Sequence, residues 1–249
     1  LGVFEAGFAP GMIFYLTYWY SGERMARVMA FVMLAGPLGG MLGAPVSTHI
    51  MTVAHGLHRM SGWQWVFLIE GLPTVILGII TFFYLTDHPT QAKWLNDSEK
   101  ALLANEIQQH QAASTHSGFG AVLKDPWVYF MAFAYFTIIS GIYAIGFWLP
   151  SLIKSSGIDD LNTIGWLSAI PYLLSAIFMI VFAKTSDKMQ ERKWHSVLAA
   201  VAAAALLIVS VLADSNFTLA FIAIAVATGL MWASYTIFWA IPSKYLKGS

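Results

Sequence analysis

The chain has 249 residues, of which 58% are hydrophobic, 15% aromatic and only 10% charged, against about 25% charge in an ordinary soluble domain. That shortfall argues against a water-exposed globule, and the hydrophobicity argues equally against disorder. The 13 Lys and Arg cancel the 13 Asp and Glu, leaving no basic field for nucleic acid, and the lack of cysteine excludes a disulfide scaffold, a thiolate metal site and a cysteine nucleophile.

The few charges cluster between apolar stretches, and about 20 apolar residues suffice for a helix to cross a bilayer. Uncharged runs cover residues 28–58, 126–153, 161–183, 194–213 and 215–243. Two more, 1–22 and 60–86, are each broken by one carboxylate, Glu5 and Glu70. The sequence therefore predicts an all-α, polytopic membrane protein with seven spans and the lipid bilayer as its surrounding. Buried helices of a soluble protein would carry a polar face at helical spacing, and residues 197–213 show none. Counting connections alternately puts eleven of the 13 Lys and Arg on one side and only Arg59 and Lys154 on the other. Since cytoplasmic loops accumulate these residues, the long connection 87–125 is expected in the cytoplasm, in a multi-pass protein of the inner (plasma) membrane.

In chain order, the first span holds Glu5 and then Gly7, Pro10 and Gly11. A carboxylate inside a span marks a transport pathway, proton relay or ligand site, so Glu5 is the candidate proton-coupling and substrate-binding residue. The competing reading is a side chain that reaches outward to water. The second span contains Gly36-Pro37-Leu38-Gly39-Gly40 and Gly43-Ala44-Pro45. Small residues at i, i+3, i+4 and i+7 let helix backbones approach, and the prolines remove ladder hydrogen bonds, a composition suited to helices that slide or bend. His49, His55 and His58 follow at spacings that make a weak metal signal. In the third span Trp63 and Trp65 anchor the outer end, and Glu70 reads as a structural carboxylate pairing with Arg59 or helix ends.

Within 87–125, Asn96-Asp97-Ser98-Glu99 has capping-box spacing ahead of Leu102, Leu103, Glu106 and Ile107. This predicts an amphipathic helix on the cytoplasmic surface, followed by a flexible linker over residues 108–120. Beyond it, Tyr143 and Trp148 lie in the fourth span, Tyr172 in the fifth, and Tyr235, Thr236 and Trp239 in the seventh. Tyr235 and Trp239 share a face. Such a face with a hydroxyl suits a small organic ligand, although helix packing explains many stripes of this kind. No P-loop Lys-Ser/Thr and no Gly-x-Ser-x-Gly elbow occurs, so no enzyme, cofactor or metal site is expected.

Several segments carry a family pattern. They are Phe4-Glu5-Ala6-Gly7-Phe8-Ala9-Pro10-Gly11, Gly62-Trp63-Gln64-Trp65 through Glu70-Gly71-Leu72-Pro73, Thr86-Asp87-His88-Pro89, Phe147-Trp148-Leu149-Pro150, Ser186-Asp187-Lys188 and Phe238-Trp239-Ala240-Ile241-Pro242. Together they resemble the major facilitator superfamily, and within it the anion:cation symporter family of organic-acid transporters. The resemblance implies twelve helices in two six-helix halves, each of two inverted repeats. On that pattern the chain is a fragment covering about helices four to ten. Residues 1–86 hold the last three helices of the N-terminal half, 87–125 the central loop, and 126–249 the first four helices of the C-terminal half.

The resemblance further implies uptake of a small organic anion, such as a sugar acid, a dicarboxylate or an aromatic acid, with a cotransported proton or Na+, by alternating access. No obligate protein partner is evident. Glu5 would handle the proton and the anion, and Tyr143, Tyr235, Thr236 and Trp239 would line the cavity. Asp187, Lys188, Glu191 and Arg192 resemble the family's charged gating loop, which latches the halves by ion pairs and helix-end contacts. Gly36-Pro37 with Gly39-Gly40 resembles instead the Gly-Pro signature of drug/proton antiporters, which keeps export as an alternative. A non-transporting membrane sensor is the third reading.

Overall fold

A computed structural model describes residues 7–20, 22–113, 124–213, 216–239 and 241. Among these the regular structure is entirely helical. Helix α1 is Phe8–Thr17, α2 Gly22–Val53, α3 Gly62–Tyr84, α4 Asp97–Ala113, α5 Pro126–Ser155, α6 Leu161–Met189, α7 Lys193–Leu212 and α8 Phe217–Phe238. Six helices are long and apolar enough to cross a membrane by length and composition, namely α3, α5, α6, α7, α8 and the Val28–Val53 part of α2. The described part of the first predicted span, α1, has 10 residues and so rises only about 15 Å; Glu5 lies outside the described residues.

Polar side chains set where helices start. Asp125 accepts a hydrogen bond from the Trp127 amide at 2.9 Å, with Pro126 opening α5. Asp160 accepts from the Thr163 amide (2.8 Å) and hydroxyl (2.6 Å) to start α6, and these bonds hold its carboxyl below the ordinary value. Asn216 caps α8 through the Leu219 amide at 3.1 Å. The capping box expected before α4 forms reciprocally: the Glu99 amide donates to Asn96 Oδ1 at 2.8 Å, and the Asn96 amide donates to Glu99 Oε2 at 2.9 Å. Two sequence expectations change here. The linker expected from residue 108 gives way to helix up to Ala113, because Gln and Ala are strong helix formers. The second span, expected to reach residue 58, ends at Val53. The chain then turns through Gly56 at φ 82°, His58 at 52° and Arg59 at 61°.

The chain divides into two compact units. The smaller comprises Leu1–Phe31 and Gly71–Ser117. In it, Trp19 stacks on Trp94 with ring centroids 5.7 Å apart, Tyr18 meets His88 edge-on at 4.6 Å, and the Tyr15 hydroxyl donates to the Thr86 carbonyl at 3.1 Å. Pro89 and Ala92 are buried beside this cluster in sequence. Arg24 of α2 pairs with Glu106 of α4 at 3.3 Å. The start of the long connection is thus held by aromatic contacts and one ion pair.

The larger unit comprises Val32–Glu70 and Gly118–Ser249. Its core gathers Ile142, Ile145, Leu149 and Ile153 of α5, Ile164 of α6, Ala203 of α7, and Ala227 and Met231 of α8. Helix α8 is the axis, in contact with α5, α6 and α7. Its buried residues are Met231, Ile237, Phe238 and, for the greater part, small ones, Ala223, Ala225, Ala227, Thr228, Gly229, Ala233 and Ser234, which admit close neighbours. A Cβ on Gly229 would stand 2.8 Å from the Phe178 ring of α6. Between α7 and α8, the Ser234 hydroxyl donates to the Ser196 carbonyl at 2.9 Å, and the two serine oxygens lie 3.0 Å apart. Both serines are fully buried. Glu70, whose expected partner was Arg59 or a helix end, accepts a hydrogen bond of 2.6 Å from Ser47 of α2.

Interhelical hydrogen bonds inside a membrane contribute about 0.6 kcal/mol on average and up to about 1.7 kcal/mol. Ser234→Ala is therefore expected to destabilise the protein by roughly 0.5–2 kcal/mol. The double variant with Ser196→Ala should cost less than the two singles added. Denaturant unfolding of the micellar protein, arranged as a double-mutant cycle, measures both.

Candidate functional site

In the larger unit, α2, α5, α6 and α8 line an open cavity of about 490 Å³, within the size range of small-molecule sites. Its wall on α5 follows from one helical face: Tyr135, Ile139, Ile142, Tyr143, Gly146 and Phe147 recur at spacings of three, four and one. Helix α8 adds Trp232 and Tyr235, three residues apart, and α6 adds Tyr172. The remaining lining residues are Gly36 and Gly40 of α2.

These glycines decide where the rings lie. A Cβ on Gly36 would meet the Trp232 indole at 2.6 Å, and one on Gly40 would meet the Tyr172 ring at 2.7 Å. On the other side, the Tyr172 hydroxyl comes within 3.1 Å of the place a Cβ on Gly146 would take. The small-residue cluster of the second span therefore has a local use: two of its glycines seat aromatic rings from α8 and α6. Gly39 and Gly43 face open space.

Of the residues expected at the cavity, Tyr143 and Tyr235 line it. The Thr236 hydroxyl donates to the Trp232 carbonyl of its own helix at 2.9 Å, which turns it along the helix. Trp239 caps the end of α8 and meets Tyr135 edge-on, ring centroids 5.4 Å apart. Tyr135 also lies 6.0 Å from Tyr235, and Trp232 meets Tyr235 edge-on at 5.6 Å. Tyr135, Phe147 and Trp232 were not singled out from the sequence. The signal for them was present: Tyr135 and Phe147 continue the face of Tyr143 in both directions, and Trp232 stands one turn before Tyr235. None of the described lining residues is charged. His49 lies apart, in a second recess of about 360 Å³ with Asn162 and Trp166.

The charged loop between α6 and α7 is closed on itself. Gln190 takes the left-handed conformation at φ 51° and ends α6. Arg192 pairs with Asp187 at 3.3 Å. The Glu191 carboxylate accepts hydrogen bonds from the Trp194 amide at 2.6 Å and the His195 amide at 3.1 Å, and contacts His195 Nδ1 at 2.8 Å. It therefore caps α7, where a negative charge is favoured by the helix dipole. The Ser186 hydroxyl donates to the Glu191 carbonyl at 2.6 Å and joins the two helix ends. Lys188 is exposed on the last turn of α6.

Comparison with known sequences adds the wider context. The family model described as Major Facilitator Superfamily matches residues 1–249. A protein of Agrobacterium vitis named "Putative tartrate transporter" is 41% identical over 100% of this chain and 57% of its own length. "Putative metabolite transport protein NicT" of Pseudomonas putida is 36% identical over 100% of this chain and 57% of its own length. A "Quinolone resistance transporter" of Acinetobacter baumannii is 33% identical over 100% of this chain and 58% of its own length. The chain thus spans little more than half the length of these relatives.

The hydrogen bond from the Trp194 amide, followed by that from His195, holds the Glu191 carboxyl below its ordinary value. A carboxyl lowered on folding stabilises the fold above its unfolded pKa, and this contribution is lost as pH falls through the folded value. Thermal unfolding of the micellar protein at successive pH values should show a Glu191-dependent loss of stability only on the acid side of the ordinary carboxylate range. In Glu191→Gln that component of the acid slope should disappear, with the protein less stable at neutral pH.

Proposed function

Because this chain belongs to the Major Facilitator Superfamily, a family of membrane transporters and not of enzymes, we propose that it is the substrate-handling part of a secondary active transporter for a small organic anion. The substrate is a sugar acid, a dicarboxylate or an aromatic acid, imported with a proton by alternating access. The observation that carries this reading is the recess of about 490 Å³ among four apolar helices, since transporters of this architecture bind substrate between their helices. The relative at 41% identity named "Putative tartrate transporter" agrees with an organic anion.

Glu5 is the proton-responsive group in this reading, since a carboxylate in a span is the natural proton carrier. Residues 1–86 and 126–249 belong to the two halves of the transporter. The Lys and Arg distribution supports a cytoplasmic location for residues 87–125, in a multi-pass protein of the plasma membrane. Asp187, Lys188, Glu191 and Arg192 then stand on the cytoplasmic side as the gating loop. Their present bonds hold α6 and α7 to each other, and a second state would exchange the Asp187–Arg192 pair for other partners.

Export of hydrophobic compounds against protons is the competing reading. It is favoured by the relative named for quinolone resistance and by a cavity lining without charge. Flux direction separates the two. In proteoliposomes carrying the transporter, an inward proton gradient should drive accumulation of an organic acid inside, whereas an antiporter would expel its substrate. Glu5→Gln should abolish gradient-driven accumulation while leaving substrate exchange measurable; full accumulation in that variant would remove Glu5 from the coupling step.

A further inference from the structure

The geometry points to an aromatic carboxylic acid as the ligand of the larger unit's cavity, its ring lying on the platform that Tyr143 and Phe147 form; this rests on the organic-anion reading above and narrows its substrate class. Tyr143 and Phe147 stand one turn apart on α5 with ring centroids 5.9 Å apart and planes only 23° from parallel. Both belong to the cavity wall, and they are 57% and 75% exposed, so part of each ring's surface is open on the cavity side of α5. In the same lining, Tyr172 and Trp232 are seated against Gly40 and Gly36 at distances that leave no room for a Cβ, and the Tyr172 hydroxyl reaches within 3.1 Å of the place a Cβ on Gly146 would take. The cavity therefore carries aromatic side chains from α5, α6 and α8.

The chemistry of the wall chooses between the three candidate acids. A sugar acid or a dicarboxylate carries donors and acceptors over its whole length, and burying them without partners is costly. The described lining supplies phenol hydroxyls but no carboxylate, carboxamide or guanidinium to meet such a pattern, and the indole N–H of Trp232 is buried from the cavity surface. A flat aromatic ring has no such demand and gains from offset or edge contacts with other rings, worth about twofold to tenfold in affinity per contact. With no cation in the lining, these residues receive the body of the ligand, not its carboxylate.

The test compares benzoate with cyclohexanecarboxylate, which has the same charge and nearly the same size and is the more hydrophobic, so that simple burial would favour it. Competition against radiolabelled benzoate on the purified transporter should rank benzoate about twofold to tenfold tighter than cyclohexanecarboxylate, with L-tartrate and D-gluconate weaker than both. Tyr143→Leu and Phe147→Leu should bring the benzoate to cyclohexanecarboxylate ratio close to one, and Tyr143→Phe should restore it. If a leucine variant fails to fold, the ratio in the native protein and in Tyr143→Phe decides. The proposal is overturned if benzoate does not bind, if tartrate or gluconate binds as tightly as benzoate, or if folded leucine variants keep the ratio. Proton-driven accumulation of tartrate or gluconate without benzoate would sink the aromatic ligand and leave organic-anion symport standing. Benzoate that binds selectively but is never accumulated would do the reverse.

Discussion

Helices surrounded by hydrocarbon gain little from setting leucine against leucine, because lipid tails are equally apolar; they associate instead where small residues allow backbones and rings to come close. The larger unit is organised by this constraint. Helix α8 buries alanines, Gly229 and Ser234 along its length, which is why α6 and α7 both pack on it. The same principle forms the cavity. Trp232 and Tyr172 are large rings on crowded helices, and each finds space only over a glycine of α2. A methyl group at either position would displace a ring from its seat in the cavity wall.

Polar groups inside the bundle follow the complementary rule that a lipid surround leaves them only partners within the protein, although Ser168 Oγ and Trp232 Nε1 are buried without one among the described residues. The Ser196–Ser234 pair and the Ser47–Glu70 bond meet this between helices. The hydroxyls of Thr228 and Thr236 meet it within their own helix by donating to the carbonyl four residues back. At the water-exposed ends, side-chain caps do the same work for the first turns of α4, α5, α6, α7 and α8. The Asp187–Arg192 loop belongs to this second group. Its charges are committed to the two helix ends they join, and an exposed pair of this kind is weak enough to exchange partners.

Much of this was legible in the sequence, and its limits have physical causes. The spans beginning at residues 126, 161 and 215 appear as helices starting within two residues of those positions, because an uncharged run supplies the length and Asp125, Asp160 or Asn216 at its start supplies the cap. The capping box at Asn96 and Glu99 was equally visible, being a purely local pairing. The end of α2 was not. Residues 54–58 lack charge, as the span does, and the left-handed turn at Gly56 and His58 left no mark in hydropathy. At the cavity, Tyr143 and Tyr235 stand out by their chemistry; spacing puts Tyr135, Phe147 and Trp232 on the same helix faces, but only the fold shows that those faces meet at one cavity.

Hydropathy, cap residues and the placement of Lys and Arg are enough to establish a multi-helix membrane protein and the limits of most of its spans, since a helix in lipid satisfies its backbone from its own chain. Which side of each span faces its neighbours could not be read in the same way, because α8 is apolar all round and carries no polar stripe to mark an inside. That choice fell to packing: a glycine on one helix accepts a ring from another only when both lie in register. Gly36 with Trp232 and Gly40 with Tyr172 are such pairs, separated widely in the chain and joined only by the folded bundle.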